Sequence, residues 1–67
     1  MKVKEVIKYY PEDIDFEIIS GNERRMFKGK KSKISRLLMY RKVKEVEPYI
    51  DVKNKVVIKL LINEVIL

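Results

Sequence analysis

The period of the apolar positions changes along this chain, and the changes divide it into short elements. Val3, Val6, Ile7 and Tyr10 stand at i, i+3, i+4 and i+7. That is the stripe of a short helix, with Lys4, Glu5 and Lys8 on its other side and Pro11 as its stop. The period then falls to two. Ile14, Phe16 and Ile18 alternate with Asp13, Asp15 and Glu17, which predicts a strand with one wet, acidic face. Ser20-Gly21-Asn22-Glu23 is a turn sequence, because Gly and Asn tolerate positive φ. Residues 24–28, centred on Met26 and Phe27, return as the partner strand of a hairpin. Gly29 is expected to end that strand. Ser32 is expected to cap a second helix traced by Ile34, Leu37, Leu38 and Arg41, with Lys33 and Arg36 on its wet side. Val46, Pro48, Ile50 and Val52 share one face of a third strand, where proline suits an edge or a bulge. Lys53-Asn54 reads as a tight turn into a final strand, Val56 to Ile62.

The expected order is α-β-β-α-β-β: a single small α+β domain over residues 1–67, with a mainly antiparallel sheet and two short helices. The final strand is apolar on both faces, since Val57 and Leu61 lie opposite Val56, Ile58, Leu60 and Ile62. Either helices cover both faces of a central strand, or a second copy covers one of them. Val57, Leu61, Val65 and Ile66 are the candidate self-association residues, and a homodimer through them is one expectation.

Composition narrows the chemistry. The chain has no Cys and no His, so disulfides, thiolate nucleophiles, imidazole bases and Cys/His zinc sites are excluded. Asp13, Asp15, Glu17 and the adjacent Glu12 could in principle gather a hard cation, but their spacing fails the calcium-loop pattern. Pro11-Glu12-Asp13 has no Glu-x-Lys on the next strand to complete a metal-dependent nuclease site. The reading is of a protein that is not an enzyme and takes no cofactor or metal. No secretion signal or membrane span is evident; the apolar run after Val56 is too short and is interrupted by Lys59, Asn63 and Glu64. The expected setting is therefore cytoplasmic.

Charge supplies the feature that points outward. The net charge is +6, but its distribution is uneven. Arg24, Arg25, Lys28, Lys30, Lys31, Lys33, Arg36, Arg41, Lys42 and Lys44 form a run uninterrupted by any acidic residue, bracketed by Glu23 and Glu45. Such a run attracts nucleic acid or an acidic protein surface. Part of it has a structural use open to it, since Arg25 faces Asp15 or Glu17 across the hairpin. Aromatics within the run are limited to Phe27 and Tyr40, few for a single-strand platform. Gly29-Lys30-Lys31-Ser32 is similar to the Gly-x-x-Gly loop of KH domains, but Ser32 replaces the second glycine and Ile34 comes one residue early.

Several short motifs together resemble small accessory proteins of bacteriophages and prophages from AT-rich Gram-positive bacteria. They are the opening Val3-Lys4-Glu5-Val6-Ile7-Lys8, the Pro11-Glu12-Asp13 turn, Gly21-Asn22-Glu23, Phe27-Lys28-Gly29, Leu37-Leu38, Arg41-Lys42-Val43 and the final hairpin. The basic middle departs from the acidic loop usual in such proteins. The resemblance implies a small factor, acting in the cytoplasm of a host cell, that binds a host or phage component. The leading expectation is docking of the basic run on an acidic host protein or protein–nucleic-acid complex, for example to inhibit a host defence nuclease. The alternatives are sequence-nonspecific DNA or RNA binding, and a structural role in particle assembly.

Overall fold

The computed structural model describes residues 1–63, so Val65 and Ile66 lie outside the described residues. Helix α1 spans Val3–Ile7 and buries Val3, Val6 and Ile7. Its first turn is held by Glu5, whose Oε1 accepts from the Lys2 N–H at 2.8 Å. Strands β1 (Asp15–Ile19) and β2 (Arg25–Lys30) form the expected hairpin. The positive φ in its turn falls on Glu23, at 63°, and not on Gly21 or Asn22. Gly29 lies inside β2 and does not end it. It takes a φ of 153°, and a Cβ there would stand 3.4 Å from the Phe27 ring.

Between β2 and the second helix comes a 3₁₀ turn, Lys31–Lys33, which displaces the helix start. The N-cap is therefore Ser35, not Ser32: its side chain accepts from the Leu38 N–H of α2, Arg36–Met39. This helix is too short to include Arg41, and Leu37 is turned outward at 84% exposure. Strands β3 (Val43–Ile50) and β4 (Val56–Ile62) close the chain as a second hairpin. Its turn uses Asn54 at φ 63°, with the Asp51 carboxylate accepting from the Lys53 and Lys55 N–H groups at 2.9 Å each.

The four strands make one sheet in the order β2-β1-β4-β3. This corrects the mainly antiparallel expectation at the centre, where β1 and β4 are parallel, with Phe16 opposite Ile58 and Ile18 opposite Leu60. The reason is topological. Residues 31–42 carry the chain across one face of the sheet to its far edge, where β3 forms. β4 then turns back into the gap beside β1, antiparallel to β3 and so parallel to β1. Both helices lie over the same face. Val3, Val6, Ile7, Ile34 and Leu38 pack there against Phe16, Ile18, Ile58, Leu60 and Ile62. Tyr10 meets Phe16 edge to face, with 5.6 Å between ring centroids.

The opposite face of the sheet has a different cover. Val57 is 0% exposed, although among the described residues no helix lies on its side. Tyr49 stands opposite Val57 on β3, and its hydroxyl reaches across β4 to donate to Glu17 Oε1 on β1 at 2.8 Å. Arg25 Nε lies 3.0 Å from the other Glu17 oxygen. The wet acidic strip expected on β1 is thus only partly wet: Glu17 is 7% exposed beneath these two partners.

Candidate anion-binding face

The ten basic residues singled out in the sequence do not form one surface, because strands alternate their side chains and the chain crosses the sheet midway. Arg25 is committed to Glu17. Lys30 spans β1, with its amine 3.2 Å from Asp15 Oδ1 and 2.9 Å from the Asp13 carbonyl. Lys31 closes the end of α1. Its amine donates to the Ile7 and Tyr10 carbonyls at 3.3 and 2.6 Å and lies 3.8 Å from Glu12. Lys28 is on the sheet's outer face, where its charge helps the Lys55 N–H hold the Asp51 carboxyl below the usual range. Arg24 is at the hairpin and Lys44 on the edge strand β3. That leaves Lys33, Arg36, Arg41 and Lys42 on the helical layer, all exposed and without an ion pair among the described residues.

Folding adds residues to this layer that the charge run did not contain. The segment before α1 runs beside residues 41–43: the Val3 N–H donates to the Arg41 carbonyl at 2.9 Å and the Val43 N–H to the Met1 carbonyl at 2.7 Å. Lys2 pairs with Lys42 in an isolated bridge. Lys2 and Lys4 are thereby brought over Tyr40, with their amines 5.6 and 4.7 Å from the ring centroid. Tyr40 is 54% exposed. With Lys4, Ile34, Arg36 and Met39 it lines a shallow depression of about 360 Å³. At the other end of α1, Lys8 lies 5.9 Å from the ring of Tyr9, which is 71% exposed. The sequence pattern puts Lys4 and Lys8 on the wet side of α1, but nothing local signalled that Lys4 would meet Tyr40.

The resulting charge division is sharper than the one along the chain. Residues 1–12 and 31–42, which make up the helical layer, contain eight basic and two acidic residues, a net +6. Among the described residues, the helical layer therefore carries +6 and the rest, residues 13–30 and 43–63, with eight basic and seven acidic residues, only +1. Its two acids are both occupied locally: Glu12 faces Lys31, and Glu5 holds the α1 start. The Lys2 N–H, with nearby positive charge, keeps the Glu5 carboxyl below its ordinary range.

The candidate self-association residues fare differently. Val57 is covered from within by the Tyr49 side of the sheet and presents no surface. Leu61 is half-buried and lines a small depression of about 150 Å³ on the outer face, with Ile19, Glu23, Glu45, Glu47 and Lys59. Among the described residues no group of three acidic side chains converges as a metal site would require. No helix among them is long and apolar enough to cross a membrane. Compared with known proteins, the chain matches no family model, no curated protein and no solved structure.

Proposed function

We propose that this protein is a non-enzymatic docking module whose helical layer binds a polyanionic partner. The observation that carries this reading is the concentration of +6 in residues 1–12 and 31–42. A nearly neutral sheet and a cationic helical layer give the described residues an electrostatic front and back, which orient the molecule as it approaches an anionic surface. The resemblance to phage accessory proteins supplies a setting for such a device. Its partner would be a host component in the cytoplasm with an acidic surface or bound nucleic acid, and blocking a defence nuclease is one concrete outcome.

The reading is tested with heparin as a chemically simple polyanion. Reversing Lys33, Arg36 and Lys42 together to Glu should weaken heparin binding at low salt by roughly tenfold or more. Reversing Lys28, Lys53 and Lys55, which changes the net charge equally but on the sheet and its turn, should cost far less. Equal losses in the two triple variants would mean that the protein binds by net charge alone and has no docking face.

A further inference from the structure

We infer that the helical layer takes single-stranded nucleic acid, with one base stacked on Tyr40 and the flanking phosphates held by Lys2, Lys4 and Arg36. This rests on the docking reading above and names its partner. The depression around Tyr40 is mixed in a particular way: Ile34, Met39 and the tyrosine ring provide apolar and aromatic surface, while Lys4 and Arg36 supply cations at its border. An acidic protein surface uses the cations and can pack apolar side chains on the ring, but it does not repeat a flat aromatic face beside each charge. A nucleotide needs both, since its base is a flat aromatic body attached to a charged phosphate. A duplex keeps its base faces stacked internally and so cannot use Tyr40, which selects the single strand.

The lysines over the ring fit this reading. A cation–π contact at an exposed site is weaker than a base–aromatic stack, so an arriving base displaces the amines from the ring. They are then free to follow the phosphates, and Lys4 on α1 and Lys8 at its C-cap stand four residues apart to do so. Tyr9, exposed beside Lys8, repeats the arrangement at the other end of the helix.

The experiment measures binding of a dye-labelled thymidylate strand of about ten nucleotides by anisotropy, with heparin binding measured in parallel. Tyr40→Leu should weaken strand binding about tenfold while leaving heparin binding unchanged, and Tyr40→Phe should bind both as the wild type does. In the wild type, the Tyr40 ring-proton resonances should move upfield with the strand but not with heparin, a readout independent of whether any variant folds. Unchanged strand affinity in Tyr40→Leu, or no ring shift, would overturn stacking. A duplex of the same sequence binding equally well, or polyglutamate of equal charge displacing the strand at equal concentration, would also overturn the proposal. The last result would point to an acidic protein instead. In each of these cases heparin binding persists and the docking reading stands; loss of heparin binding as well would remove both.

Discussion

Glu17 shows most clearly what one residue's neighbours decide. Its place in the alternation Asp13, Asp15, Glu17 puts it correctly on the face away from Phe16 and Ile18. The same alternation cannot reveal that Tyr49, from a strand two places away in the sheet, closes over that face. Arg25 was legible as a partner for Asp15 or Glu17 across the hairpin, and it takes Glu17 diagonally, from its place opposite Ile19, whereas the tyrosine depends on where β3 finally lies. Tyr49→Phe removes one hydrogen bond to a carboxylate and should destabilise the fold by about 1 kcal/mol near neutral pH. The variant should also change the alkaline limb. Burial, and then the hydrogen bond to Glu17, raise the phenol above its ordinary value of 10.0, so the folded state holds this proton more tightly than the unfolded state. The contribution is complete below the unfolded value and is lost as pH rises from there through the folded one. Urea unfolding between neutral pH and about pH 11 should therefore converge for wild type and Tyr49→Phe. A constant difference across that range would mean that the phenol proton is not linked to folding.

At the scale of elements, period changes were enough to locate two helices and four strands, because each element is short and several are separated by turn signals such as Pro11, Ser20-Gly21-Asn22 and Lys53-Asn54, although Gly29 and Pro48 lie inside β2 and β3. Their finer placement depended on contacts further away. Ser32 has the chemistry of a cap, but residues 31–33 form their own 3₁₀ turn and pass that role to Ser35. The parallel pairing of β1 with β4 follows from the path of residues 31–42 across the sheet, which no local pattern encodes. Lys31 connects these elements. Helix α1 has five residues, too few to persist alone, and an amine from the following crossover adds a donor to the Ile7 carbonyl at its end and supplies one to the Tyr10 carbonyl beyond it. Lys31→Met keeps the apolar stem and removes the amine, leaving two carbonyls of a part-buried site without this donor. It should lose about 1–3 kcal/mol of stability, whereas Lys33→Met, on the exposed side of the same turn, should stay within about 0.5 kcal/mol. Thermal unfolding of the two variants decides the matter. Equal midpoints would show that Lys31 belongs with the surface cations after all.

For the whole molecule, the candidate site was half legible. A contiguous basic run suggested a patch, yet β2 turns Arg25 and Lys30 towards the acidic side chains of β1, and the crossover carries only Lys31, Lys33, Arg36, Arg41 and Lys42 to the helical layer. Lys2, Lys4 and Lys8, set among the acids of the first third, complete that layer because α1 packs beside α2. A patch assembled in this discontinuous way has a signature that net charge alone does not. If about four phosphates of a single strand are neutralised, the logarithm of the binding constant should fall with the logarithm of salt concentration at a slope of about −3. Each cation that takes part should account for about 0.7 of it. Lys42→Met and Lys4→Met should each flatten the slope by that amount, while Lys28→Met and Lys44→Met, both from the same uninterrupted run, should leave it unchanged. Salt titrations of these four variants separate a face built by folding from a run written in sequence. Flattening in Lys28→Met, Lys42→Met and Lys44→Met but not in Lys4→Met would assign the binding to the run, uniform flattening would assign it to net charge, and flattening only in Lys4→Met and Lys42→Met assigns it to the folded layer.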